Sequence, residues 1–357
     1  MTGDDSIDDG QRLVLKVQFG EPITQLRLTG LALRELALAG GLFSEMDFSG
    51  CDFSGSDLRE AVFDRCELAG TVFDAANLRG ATFHQCRAAA SRWQAASLRN
   101  AKLVSSDFTG ADFQRADFNL ALFAKCTLDD ANLAAAWLDR TTLAEVSAKK
   151  TAFERIALHQ VTFHQCVLDE ASLAQSTLKL VTFNETPLPG RSFAGMDLHG
   201  VQFTDCKLTG ADFSDARIEQ CNFKSAQLDG ARFRNARAAL ALFPEAQGQG
   251  CDFEGADLRQ AIFAKASFAE GRFDRANLYQ TNWMEAKLPG SSLRDTELTY
   301  ADFSHADISG ADFEGATMFR AKLHRANDAG ARFTDRGRAL ETDPVQARAE
   351  SWPAAPA

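Results

Sequence analysis

The sequence is poor in most of what a catalytic, exported or membrane-bound chain uses. Its 357 residues include only 2 Tyr, 6 His and 8 Pro. No apolar run approaches the roughly 20 residues that a membrane-spanning helix needs. Residues 1–10 (MTGDDSIDDG) are acidic, not a basic stretch leading into an apolar one, so no export signal is expected and residence in the cytoplasm is. The eight cysteines show neither CxxC spacing nor a disulfide pattern, which excludes a zinc ribbon or a disulfide-stapled fold. No phosphate-binding glycine loop, nucleophile elbow or acid/base pair stands out, so neither an enzyme nor a cofactor is expected. The formal charge of −11 disfavours non-specific binding to nucleic acid or to an anionic membrane.

What is abundant is phenylalanine, 28 residues of it, and its placement is periodic. Reading every fifth residue from Ile23 to Phe333 gives 63 positions, of which 58 are Leu, Phe, Ile, Met or Trp. The exceptions are Ala88, Ala148, Ala238, Gly248 and Asp328, and no insertion breaks the phase. Two residues before the large centre stands a small one at all but eight of the 59 positions from Gly41 to Ala331, and all eight cysteines fall there. Residues two apart share one side of an extended chain, so a large and a small residue point inward together. Five residues are too few for a helical period and too regular for ordinary hairpins.

Glycine sets the size of the repeat. Gly30, Gly50, Gly70, Gly110, Gly190, Gly210, Gly230, Gly250, Gly290, Gly310 and Gly330 share one phase of twenty. Pro189-Gly190 and Pro289-Gly290 are the pair preferred at the centre of a type II turn. One corner per twenty residues is therefore a tight turn, and four fives make a coil of square section. Centres ending in 3 are mostly Phe and those ending in 8 mostly Leu, which predicts Phe ladders on opposite walls. About 16 coils stacked at ~4.8 Å would form one solenoid, each turn burying its apolar groups against its neighbours.

Units such as Ala76-Asn77-Leu78, Ala111-Asp112-Phe113, Ala256-Asp257-Leu258 and Ala311-Asp312-Phe313 resemble the repeat of the pentapeptide-repeat family. The resemblance covers about residues 23–333 and implies an all-β, right-handed quadrilateral parallel β-helix. Departures gather in 141–205, where Val146, Ile156, Val161, Val181, Arg191, Met196 and Val201 replace the small residue; Arg191 is expected to turn out of the core. For function the resemblance implies a non-catalytic scaffold that binds a protein partner, as a monomer or end-to-end dimer. Some members stand beside type VI secretion loci, which suggests an accessory or adaptor role in effector assembly. Others mimic DNA and bind DNA gyrase, protecting it from quinolones or toxins, which is the alternative reading.

The ends are expected to differ from the repeats. Residues 1–10 read as a disordered acidic tail, and 11–22 as an N-terminal cap strand, since Leu13, Leu15, Val17 and Phe19 alternate. Residues 334–357 read as a C-terminal cap helix and tail. Asp343-Pro344 supply an N-cap and first helical residue, and Val345, Ala349 and Trp352 share a face.

Candidate site residues follow from exposure. Outward positions beside Leu138, Leu278, Leu298 and Met318 carry Trp137, Tyr279, Tyr300 and Phe319, a clustering of exposed aromatics expected of a partner-binding face. Arg59, Arg79 and Arg99 form a basic ladder on the same wall. His84 and His164 lie in identical TFHQC segments (82–86 and 162–166), too far apart to share a metal. His305 and His324, with Glu285 near, have the one spacing compatible with zinc, but they read as surface residues, so no metal site is expected.

Overall fold

Apolar residues that recur every fifth position can be buried only if short extended segments alternate with corners. The computed structural model describes residues 9–352 and is a parallel β-solenoid of about 16 turns with a short C-terminal helix. It divides into two compact units, Met1–Thr182 and Phe183–Ala357. The division falls inside the stretch where large residues replace the small inward one. There Leu173, Arg191 and Met196 are only half-buried, so Arg191 leaves the core in part.

The register is twenty residues. In the first unit Phe43 pairs with Phe63, Phe63 with Phe83, and Phe123 with Leu143, all in parallel. The other walls pair through single bridges such as Asp47 with Glu67 and Asp52 with Val72, because so few residues are extended before the next corner. The second unit repeats the step, with Asp212 opposite Arg232 and Gln227 opposite Gln247.

Each N–H of a five-residue unit finds a partner. Asp47 N donates to Leu26 O of the preceding turn (2.9 Å), and Phe48 N and Gly50 N donate to Glu67 O and Ala69 O of the next (both 2.9 Å). Cys51 N closes the corner on Phe48 O (2.9 Å), and Ser49 N donates to Asp47 Oδ1 (3.1 Å). The last bond explains the Asp or Asn before the centre: its carboxylate or amide oxygen takes the one N–H that the ladder leaves over. Asp52, Asp212 and Asp302 serve Ser54, Ser214 and Ser304 in the same way.

All four corners use a left-handed residue, not the glycine-marked one alone. Every fifth residue from Gly20 to Gly330 has φ between 49° and 76°, and only 19 of these 63 are glycine. A left-handed non-glycine residue costs about 1–2 kcal/mol. The hydrogen bonds on both sides of each corner offset that strain.

The core is aromatic and ordered. In the second unit Phe203, Phe223, Phe243 and Phe263 stack with centroid spacings of 5.2, 4.8 and 4.7 Å. Phe213, Phe233, Phe253 and Phe273 stack on the opposite wall at 4.9, 4.5 and 4.9 Å. The two ladders meet edge to face, as Phe223 meets Phe233 at 89°. The small inward position does more than leave room. Thr71 Oγ1 donates to Phe48 O (2.9 Å) and Cys126 Sγ to Leu103 O (3.2 Å), each on the preceding turn. Cysteine there acts as a small residue with a weak donor, and burial pushes Cys126 and Cys166 up to about 11.

The N-terminal segment corrects the expected strand. Residues Asp9–Gln18 form a helix, α1, and residues 1–8 of the expected tail lie outside the described residues. Only Gly10 and Leu13 of α1 are buried, while Leu15 and Phe19 stay exposed. A helix satisfies its own backbone, whereas a strand here would need pairing along its whole length. Gly20 ends α1 in a left-handed turn (φ 67°), with Glu21 N donating to Lys16 O (2.9 Å) and Gly20 N to Val17 O (2.9 Å).

At the other end, Pro344–Glu350 form α2, capped by Asp343 Oδ1, which accepts from Val345 N (2.8 Å) and Gln346 N (3.1 Å). The final turn is closed by the segment before α2. Met318 N donates to Asp335 Oδ2 (3.0 Å), Arg320 N to Arg338 O (2.9 Å) and Arg325 N to Thr342 Oγ1 (3.1 Å). Leu340 pairs with Lys322 as a short continuation of one wall. The helix itself lies against that wall, and its Val345 and the adjoining Trp352 are 74% and 80% exposed, so the expected apolar face is turned outward. No helix among the described residues is long and apolar enough to cross a membrane.

Candidate functional site

In the second unit the repeat places three aromatic rings on one corner. Tyr279 and Phe319 follow the inward centres Leu278 and Met318, two turns apart in register. Tyr300 lies on the turn between them and is itself the left-handed corner residue (φ 63°). Tyr279 meets Tyr300 edge-on at 6.0 Å and 84°, and Tyr300 meets Phe319 at 5.9 Å and 73°. The Arg338 guanidinium lies 5.2 Å over the Phe319 ring. Tyr300 and Phe319 remain 41% and 39% exposed. Edge-to-face pairs contribute about 0.5–1.5 kcal/mol each, so the rings are pre-ordered on a hydrogen-bonded backbone.

The adjacent wall adds what a count of aromatics overlooks. Ile262, Met284 and Leu340 are exposed there and continue the apolar surface around the corner, while Leu240 is exposed on the corner itself, three turns before Tyr300. A cavity of about 600 Å³ opens beside Tyr300, lined by Gln260, Ile262, Gln280, Asn282 and Arg320. The signal is present in the sequence at the outward positions beside Phe263 and Trp283, but it counts only when both walls of the corner are taken together. Trp137 belongs to the first unit, where it is 64% exposed, and no ring packs on it among the described residues. Of the basic ladder, Arg59 pairs with Asp57 (2.7 Å) and Arg99 with Asp117 (3.3 Å), so much of its charge is answered locally.

The histidine pair has a different partner from the expected Glu285. His305 Nε2 and His324 Nε2 lie 3.3 and 3.1 Å from the two carboxylate oxygens of Glu350 on α2. The three ligand atoms fall within 4.8 Å of one another, a spacing that would admit a cation. The tautomer argues otherwise. Asp343 N donates to His324 Nδ1 (3.0 Å), so the neutral ring carries its proton on Nε2 and donates it to Glu350. A metal on Nε2 would need a lone pair there, which this tautomer does not offer. His324 is 3% exposed, covered by the C-terminal segment and not a free surface residue. Hydrogen bonds from His324, then Gln346 and His305, hold the Glu350 carboxyl down to about 2. The cluster is a polar latch that fastens α2 to the wall.

Residues 38–115, 56–133, 116–193 and 196–270 match the model of the pentapeptide repeat region, and 285–315 and 297–335 match that of pentapeptide repeats in eight copies. The chain belongs to the pentapeptide-repeat family. Among solved pentapeptide-repeat proteins it is similar to HetL, involved in heterocyst differentiation regulation in the cyanobacterium Nostoc. That match has 24% identity over 60% of this chain and 86% of HetL, with a TM-score of 0.27. It is also similar to QnrB1, a plasmid-mediated fluoroquinolone resistance protein, with 21% identity over 56% of this chain and 90% of that one, and a TM-score of 0.30. A third is Rfr23 of the cyanobacterium Cyanothece, 15% identical over 44% and 91% of the two chains, with a TM-score of 0.22. No curated protein matches the sequence.

Proposed function

We propose that this pentapeptide-repeat chain is a non-catalytic scaffold of the cytoplasm that holds a protein partner on the corner formed by Tyr279, Tyr300 and Phe319. The observation that carries the reading is the edge-to-face locking of three outward rings, Tyr300 and Phe319 exposed and Tyr279 half-buried, beside an open cavity. Rigid aromatic anchors lose little freedom on binding and are the residues that dominate protein interfaces. Trp137 is proposed as a separate contact on the first unit. An adaptor role in assembling a type VI secretion effector is the finer form of the proposal. It draws on the settings in which long members of the family occur.

The test is co-purification. The protein recovered with the wild-type chain should fall at least tenfold with Tyr279→Ala/Tyr300→Ala/Phe319→Ala, whose positions outside the core leave the fold intact. Unchanged recovery overturns the assignment.

Mimicry of DNA is the competing reading, favoured by the charge of −11. The pattern of pairing opposes it. Along one wall of the second unit Asp212 pairs with Arg232 (2.9 Å), Asp252 and Glu254 with Arg234 (2.6 and 2.7 Å), and Asp312 with Arg294 and Arg332 (both 2.6 Å). Burial works against ionisation of Asp212, but Arg232 and Ser214 outweigh it and bring the carboxyl to about 2. A DNA mimic needs carboxylates that are open to a partner. Inhibition or quinolone protection of gyrase supercoiling at micromolar protein would favour mimicry over the scaffold.

A further inference from the structure

The latch leaves a space under the C-terminal segment. A cavity of about 610 Å³ lies between the last turns of the wall and residues 340–346, within the range of sites that take a small ligand or a side chain with its backbone. Met284, Leu340 and Pro344 give it an apolar surface, and the first two are exposed. Three carboxylates, Asp302, Glu341 and Asp343, also line it, and Lys322 is the single Lys or Arg of the lining among the described residues.

That cation is already engaged, since Lys322 Nζ lies 3.0 Å from Asp302 Oδ2. Glu341 reaches outward to Arg336 at 3.1 Å, which is not part of the lining. Asp343 uses Oδ1 to cap α2, and those backbone N–H groups hold its carboxyl below the usual range, so it is ionised at neutral pH. The imidazole of His324 offers no further positive charge in its neutral form, because its Nε2–H faces Glu350. The cavity therefore combines an aliphatic surface with the charge of Asp343, the one carboxylate of its lining that no Lys or Arg meets among the described residues.

We infer that this cavity receives a basic side chain from the partner, its aliphatic stem along Met284, Leu340 and Pro344 and its cation against Asp343, with Glu341, shared with Arg336, beside it. Stem and head fit a lysine, which buries methylenes while keeping its ammonium paired. The cavity shares Leu340 and Lys322 with the one beside Tyr300, so it adjoins the aromatic corner. The source of the side chain rests on the scaffold reading, whereas the chemistry of the cavity does not.

The experiment uses the full chain labelled with ¹³C-methyl methionine, five methionines in all, with Met284 identified by Met284→Leu. Nα-acetyl-lysine N-methylamide should shift the Met284 signal saturably, at least tenfold more tightly than the norleucine analogue of equal stem length. Asp343→Asn/Glu341→Gln should weaken the lysine analogue at least tenfold, and Asn still caps α2. Equal response to both analogues, or none at millimolar concentration, overturns the proposal. Tighter binding of spermidine than of the lysine analogue would make this a polyamine site and overturn the assignment to a partner's side chain. None of these outcomes depends on the aromatic triple variant, so the two failures are distinguishable.

Discussion

At the scale of the residue, the consensus is a set of hydrogen-bond assignments. The Asp or Asn before the centre takes the spare N–H, the small inward residue donates to the turn before, and the fifth residue bends the chain. Only part of this can be read from sequence. Large, small and glycine positions declare themselves by type, but a left-handed corner filled by Glu, Gln, Arg or Leu does not. Leu240 is a sharp case, at φ 62° and exposed. Relief of left-handed strain exceeds the added chain entropy of glycine, so Leu240→Gly should raise stability by up to about 1 kcal/mol. Leu240→Val places a β-branched residue in that region and should lower stability by about 1 kcal/mol. Urea midpoints of the two variants, measured against the parent, check both signs.

At the scale of the element, the repeats were legible and the ends were not. Leu13, Leu15, Val17 and Phe19 alternate as a strand would, yet the first three lie in α1 and Phe19 in the turn that ends it, because a segment ahead of the first turn has no neighbour to pair with on both sides. Gly20 was the overlooked signal of a helix end. At α2 the capping residues were legible and the docking face was not, since polar groups, not apolar ones, fasten the helix. Arg325 Nε also reaches Glu350 (3.3 Å). Removing the carboxylate charge in Glu350→Gln should loosen α2 and speed tryptic cleavage after Arg348 several-fold, with the solenoid unchanged by circular dichroism. The pH dependence has a defined sign. The folded carboxyl lies near 2, below its ordinary value of 4.5. Its stabilisation is therefore complete above about 4.5 and lost as pH falls toward 2. Wild type should become as cleavable as the variant only in that acid window, measured with an acid-active protease.

At the scale of the whole molecule, the period of twenty was legible because nothing interrupts it. The corner proposed to hold a partner is half legible: its three aromatics stand out in the sequence, and the apolar wall and its cavities do not, because they arise from residues far apart in sequence. The core offers the decisive check on register. Phe213 is fully buried and stacks on Phe193 and Phe233 at 4.9 Å each. Phe213→Asp should cost roughly 3–5 kcal/mol, seen as a lower denaturation midpoint; an unchanged midpoint would contradict the register. That register also constrains how such a chain can vary through its history. Within the second unit, five extra residues ahead of Tyr279 would carry it and all that follows one wall around, separating them from Ile262. Twenty extra would leave every outward residue above its former neighbour. The twin TFHQC segments, eighty residues apart in the first unit, obey that rule. Length can therefore be gained or lost without scrambling a surface only in whole turns, which makes the coil, and not the five-residue unit, the natural step of inheritance.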